Sequence, residues 1–205
     1  MIRARLSTLF GLTLAGLSLT LGACAPASGP DVRGSLTRAV IDRSPQPLIL
    51  AEGTERGLGA TLIPAGRNGD VVTWRTGQNQ MLSFDGGVLV ATRGLGADLM
   101  SADVAATRAA LTGGPNRGYA RLMSYLDGDD NTLLRAMVCD MAPGTAATVD
   151  SFGLSFPTTL RVETCRTTGF TTRNRFWLNP DGTMRRAEQW VGPGAGTLVT
   201  EWLTR

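Results

Sequence analysis

The chain contains no histidine and no lysine. Those two absences remove the usual general base, the commonest metal ligand and the amine of Schiff-base chemistry together. A Ser-His-Asp triad or a Cys-His pair cannot be assembled within this chain. Cysteine is scarce as well, at three residues, Cys24, Cys139 and Cys165. A tetrahedral thiolate zinc site needs four ligands, so no metal site is expected. Aromatic residues make up 6% of the chain, and no basic run is interleaved with them, which gives no footprint for a nucleic-acid partner. Long apolar runs are confined to one place, residues 6–19.

That run follows Arg3 and Arg5 and leads into Leu21-Gly22-Ala23-Cys24, the anatomy of a secretory signal ending in a lipobox. It is shorter than the roughly 20 residues of a spanning helix. Residues 1–23 are therefore expected to be a lipoprotein signal peptide, and Cys24 the acylated N-terminus. Two or three acyl chains meet the requirement for more than one membrane signal. Ala25, rather than Asp, follows the cysteine, which by likeness to bacterial lipoproteins favours the outer membrane. Residues 24–31 form a tether, and its Ala25-Pro26-Ala27-Ser28-Gly29-Pro30 stretch reaches about 20 Å at most. Removing 23 of 205 residues leaves 182, suited to one domain over 32–205. Arg3 and Arg5 leave with the signal, so the formal charge falls from +3 to +1 and says little about acidic partners.

With Cys24 acylated, Cys139 and Cys165 remain as a pair in an oxidising compartment. They are expected to form a disulfide enclosing about 26 residues, the alternative being two buried thiols.

Asp31 can cap a helix over 32–43, with Leu36, Val40 and Ala39 on its apolar face, ended by Ser44-Pro45-Gln46-Pro47. Short β-branched or aromatic runs between glycine-rich turns follow, at 48–51, 59–63, 71–75, 80–84 and 88–92. Asp85-Gly86 is expected to form a tight type I′ turn. The alanines of 98–111 favour a short mid-chain helix, with Ser101 as a cap and Gly113-Gly114-Pro115 as a stop. Strands resume at 119–126, 132–141, 145–149, 158–167, 171–178, 184–191 and 198–203, with turns at Asp127-Gly128 and Asn179-Pro180-Asp181-Gly182. The fold class is mainly β: antiparallel sheets forming a barrel- or sandwich-like single domain, with a short N-terminal helix and a short mid-chain one. The stretches 78–88 and 173–183 share a polar lead-in, apolar strand and turn, which reads equally as a repeat or as common hairpin grammar.

Motifs for chemistry mostly fail. Asp127, Asp129, Asp130 and Asn131 begin like a calcium loop, but Thr132 and Val138 stand where glycine and glutamate belong, so a solvated hairpin tip is expected. Gly94-Leu95-Gly96-Ala97-Asp98-Leu99 lacks the third glycine of a dinucleotide fingerprint, and the glycines after Gly192 lack a phosphate-loop lysine. No cofactor is expected. Glu52, Glu55, Glu163, Glu188 and Glu201 could supply a glycosidase pair, but Glu163 beside Arg161 and Glu188 beside Arg185 and Arg186 read as solvated, ion-paired strand faces. The most suggestive surface is the last long hairpin. Arg173, Arg175 and Trp177 alternate onto one face, and Arg185 returns near Trp177, a set that could stack on sugars or grip acidic polysaccharide, although packing of Trp177 under snorkelling arginine stems is the favoured reading.

The lipobox, the segment from Gly87 through Val90, Arg93 and Asp98 to Leu99, and the run Arg175-Phe176-Trp177-Leu178-Asn179-Pro180-Asp181-Gly182-Thr183 continuing to Trp190 and Trp202 resemble the YjbF family of lipoproteins, the group 4 capsule GfcB type. The likeness spans most of the mature chain, from which the alanine-rich 102–110 stretch departs. It implies a mostly β, outer-membrane lipoprotein, lipid-anchored and periplasm-facing. It further implies a non-enzymatic accessory role in exopolysaccharide or capsule secretion, with polysaccharide and outer-membrane export proteins as partners. The alternatives are a carboxylate-based polysaccharide-modifying enzyme and a lipid-carrying β shell.

Overall fold

Period-two alternation of apolar and polar residues recurs along the chain after residue 48, and such runs become strands with one face inward, as in 119–126 and 170–178. The computed structural model describes residues 31–54, 58–126, 129 and 131–204. The strands are β1 (Ile49–Gly53), β2 (Leu58–Asn68), β3 (Val71–Arg75), β4 (Met81–Asp85), β5 (Val88–Arg93), β6 (Ser101–Asp103), β7 (Tyr119–Leu126), β8 (Thr132–Met141), β9 (Thr145–Ser151), β10 (Leu154–Thr167), β11 (Phe170–Leu178), β12 (Met184–Gly192) and β13 (Gly196–Trp202). Three short helices, α1 (Val32–Ser35), α2 (Arg38–Asp42) and α3 (Ala105–Leu111), complete the described elements.

The sheet order is β5-β4-β3-β2-β1-β13-β12-β11-β10-β8-β7-β6, and β9 pairs with the first half of β10 outside that path. The ends of the path approach one another: the Thr92 amide donates to the Leu99 carbonyl at 2.9 Å. The result is a nearly closed antiparallel barrel, as the mainly β reading expected. At the seam, Gln189 reaches from β12 to β5, accepting from the Leu89 amide at 2.9 Å and donating to the Gly87 carbonyl at 3.1 Å. It serves the exposed backbone edge as a neighbouring strand would.

The interior holds one continuous cluster, including Ile49, Leu62, Phe84, Met123, Met137 and Phe176. A second, small cluster of Ile41, Leu50 and Leu203 lies on the outer wall beneath α1 and α2, packed by Leu36 and Phe152. β1 feeds both, because Ile49 and Leu50 point to opposite faces of the wall.

Several sequence expectations shift. The 32–43 helix is two helices, because Leu36 is extended (φ −86°, ψ 139°) and the Thr37 side chain caps α2. That break changes the phase, so Ile41 is buried while Val40 is 51% exposed. The 98–111 stretch divides into β6 and α3; Ser101 lies in β6 rather than capping, and the Asp103 carboxylate accepts from the Ala105 amide at 3.1 Å. The tight turn is Gly86-Gly87, since Asp85 already pairs with Val88. Both glycines have positive φ, 57° and 86°, and a Cβ at Gly87 would lie 2.5 Å from the Met184 side chain. β2 and β10 run past Pro64 and Pro157, where each strand has an edge free of its long partner. The Asp127-Gly128 turn lies outside the described residues.

Candidate functional site

The β2–β3, β4–β5 and β11–β12 connections converge on one end of the barrel, and beside them opens a cleft of about 1300 Å³. Its walls include Trp74, Trp202, Phe156, Met184 and four prolines, Pro47, Pro64, Pro157 and Pro180, with Arg67, Asn179, Asp181, Thr183 and Arg185 among them. Trp202 meets Phe84 edge-on at 5.5 Å, which fixes its ring. The Arg185 guanidinium lies 3.9 Å over the Phe156 ring, donates to the Trp202 carbonyl at 2.7 Å and reaches Asn179 Oδ1 at 3.2 Å. It joins the β10 arm, the β11–β12 turn and the chain end around the cleft. Asp181 accepts from the Thr183 hydroxyl at 2.7 Å and amide at 2.9 Å, and these bonds hold its carboxyl below the usual range. The cleft thus combines an apolar, aromatic lining with fixed polar groups.

Of the residues expected to form a sugar-binding face, Arg173, Arg175 and Trp177 do share the outer wall of β11. Arg185 does not join them. A bulge pairs Trp177 with Arg186 and Leu178 with Met184, so Arg185 is the extra residue and turns toward the cleft. Arg186 takes its place, 5.3 Å over the Trp177 ring, and Arg175 is bonded to Glu188 at 2.8 Å. Trp74, Phe156 and Trp202 escaped the sequence reading because they come from β3, β10 and β13, which only the fold brings together.

The described glutamates are engaged elsewhere. Glu188 pairs with Arg175 and Arg186, Glu52 with Arg33 at 2.6 Å, and buried Glu201 with Arg33 at 2.9 Å and with Ser151. Glu55 lies outside the described residues. Among the described residues that line the cleft, Asp181 is the one carboxylate.

Glu163 is not on a solvated face beside Arg161. It is fully buried inside the barrel, where it accepts from Arg121 Nη1 at 2.8 Å, Asn174 Nδ2 at 2.7 Å, the Tyr119 hydroxyl at 2.8 Å and the Thr107 hydroxyl at 2.7 Å. Arg161 instead donates to the Ala110 carbonyl on α3 at 2.9 Å. The signal was present: Glu163 stands two residues from Cys165, and Arg121 alternates with Tyr119, Met123 and Tyr125, so period two places both inside. Cys139 and Cys165 face each other in the β8–β10 register and form the expected disulfide. With Glu163 they make a compact trio, but sulfurs bonded to each other offer no thiolate to a metal.

Burial, and next the charge of Glu163, push the Tyr119 phenol far up; burial pushes Tyr125 up to about 12. These are the two tyrosines of the chain. In the unfolded chain both would ionise near pH 10. The unfolded state therefore gives up protons first, and stability falls as pH rises above about 10. Tyrosinate absorbance in an alkaline titration should stay flat through pH 10 and then rise together with loss of the far-ultraviolet β signal; an independent, earlier rise would contradict the burial.

The fold and cleft define a barrel-like β protein with one open, aromatic-lined mouth. The chain belongs to the family described as group 4 capsule polysaccharide lipoprotein GfcB, YjbF, whose model matches residues 24–203. Among solved structures it is similar to the hypothetical lipoprotein YmcC from Escherichia coli (K12), with a TM-score of 0.72 at 16% identity over 83% of this chain and 89% of that one. That likeness shows a shared fold. No curated protein matches the chain.

Proposed function

We propose that this protein is a lipid-anchored, non-enzymatic accessory factor in the export or assembly of a surface polysaccharide, acting from the outer membrane and holding glycan in the aromatic cleft. The observation that carries the reading is the family match, which begins at Cys24, the residue expected to be acylated. The cleft suits the ligand: aromatic and proline surfaces accept the C–H faces of sugar rings, and fixed arginine, asparagine and aspartate groups take their hydroxyls. Arg173, Arg175 and Trp177 on the outer wall are a second place for such contact, although Arg175 is already held by Glu188. Outer-membrane export proteins are the proposed partners. The interior is filled by side chains such as Phe84, Met137 and Phe176, so the lipid-shell reading has the least support.

Deleting the gene should reduce surface polysaccharide. Wild type should restore it, whereas Cys24→Ala, which releases the protein from the membrane fraction, and Trp202→Ala, which removes a cleft wall, should not. Trp202→Ala should also weaken binding of the purified protein to the cell's own polysaccharide by about tenfold, some 1.4 kcal/mol. Unchanged polysaccharide in the deletion overturns the reading, and shortening of the polysaccharide by the purified protein would establish an enzyme instead.

A further inference from the structure

The outer face of the β7–β8 ladder is largely apolar, with Ser124 and Thr132 as its two polar positions. Leu122, Leu126, Leu134 and Val138 are 50%, 47%, 74% and 55% exposed, and Ala120 and Ala136 lie between them in register. Five of the six large apolar residues that stand out on the described surface belong to this one hairpin, the fifth being Leu133, which pairs with Tyr125 and so lies off this face. The outward positions of eight paired residues, at about 3.3 Å per residue, make a strip about 26 Å long, a size that marks an interaction surface rather than scattered surface leucines.

We infer that this face is where a second copy of the chain docks. Two observations point to self-association. The first is charge. On the β6 side the strip is flanked by exposed Asp103, paired with Leu122; on the β10 side it is flanked by exposed Arg166, paired with Val138. Turning a copy over about an axis parallel to the strands lays the β6 edge of each molecule over the β10 edge of the other, so each acid meets a base. Leu122 and Ala120, which mark the two levels, are two residues apart, about 7 Å, a gap an arginine side chain spans. Arg166 already holds Asp140 at 2.6 Å, and its side chain is 56% exposed, leaving guanidinium surface for a second carboxylate.

The second is where the chain enters the fold. Arg33 fixes α1 to Glu52 on β1 and Glu201 on β13. In the twelve-strand path β8 and β7 lie on the far side, four and five strands from β13 on one route. Val32 borders the barrel end opposite the aromatic cleft, beside Gly53, Gly77 and Ala195. Taking the lipid anchor of the proposed function as given, the seven residues from Cys24 to Asp31 hold that end within about 25 Å of the bilayer. The strands then stand roughly along the membrane normal. The apolar strip becomes a side wall, facing a neighbour in the same leaflet rather than lipid, and the two-fold axis lies along the normal, as two copies anchored in one leaflet require. Confinement to the leaflet raises the effective concentration of the pair.

The test is sedimentation of the full lipoprotein in detergent. Wild type should sediment as a dimer, and Leu134→Asp with Val138→Asp as a monomer that keeps the far-ultraviolet β signal and a cooperative melt no longer dependent on protein concentration. Asp103→Arg and Arg166→Asp should each raise the dissociation constant about tenfold, and the two together should restore it. A monomeric wild type, or a double charge exchange that does not restore pairing, overturns the inference. So does flotation of the unacylated Cys24→Ala protein with phosphatidylethanolamine/phosphatidylglycerol vesicles if it depends on Leu134, since that would make the strip a membrane surface. The sedimentation arms do not depend on the polysaccharide reading, and loss of capsule phenotype leaves them standing.

Discussion

Glu163→Ala should cost about 3 to 5 kcal/mol, lowering the melting temperature by about 10 °C or more. The reason lies in what is left behind. Arg121 is 1% exposed, its Nη1 loses the carboxylate it is paired with, and among the described residues its Nε has no hydrogen-bond partner even in the native protein. Asn174, Tyr119 and Thr107 lose their shared acceptor at the same time. A solvated ion pair would cost no more than about 1 kcal/mol on the same substitution, so chemical denaturation separates the two situations. Replacing both charges, with Glu163→Leu and Arg121→Met, should recover much of the loss, because a buried pair often stabilises no more than apolar residues of similar volume. Recovery should stop short of wild type, as three donors remain unmatched. A double variant no more stable than Glu163→Ala would contradict this reading.

Replacing both interior cysteines by alanine should cost about 3 to 4 kcal/mol, chiefly by freeing a loop of about 26 residues in the unfolded chain. The corresponding fall in melting temperature is about 10 °C. The native barrel should survive, because β8 and β10 remain hydrogen-bonded in the same register around positions 139 and 165. Both sulfur-bearing residues are fully buried, so dithiothreitol should reduce the bond only at the rate of unfolding. Thiol labelling of the native protein after brief reductant treatment, followed by mass spectrometry, checks this; rapid labelling of both cysteines would show that the bond is accessible.

These effects centre on residues whose neighbours in the chain announced only part of their role. Strands such as 119–126, with clean alternation, and 132–141, which alternates in its second half, could be bounded from sequence alone because each has one inward face. Where the backbone departs from simple alternation, the reading slipped. Leu36 breaks a helix because tertiary packing of Ile41, Leu50 and Leu203 outweighs the local preference for one continuous helix. Asp103 starts α3 from within a strand, and the extra residue Arg185 reverses a face at a bulge that no local pattern marks. The Cys139–Cys165 bond was legible through compartment and count. The aromatic cleft was not, because Trp74 and Trp202 meet only after the strand order of the sheet is known.

Gln189 gives the barrel a weakness of a definite kind. Between β12 and the start of β5 a single side-chain amide carries two hydrogen bonds, at Leu89 and Gly87, that elsewhere in the sheet a strand would make, while further along the same edge Thr92 is held by Leu99. A strand must be stripped off residue by residue, but an amide can rotate away in one step. Local opening is therefore expected along this edge before any long ladder yields, and the edge it would uncover belongs to β5, one end of the sheet. A slit barrel with a bare strand invites another strand to add to it, so the Gln189 latch is also the point at which the protein guards itself against polymerising edge to edge.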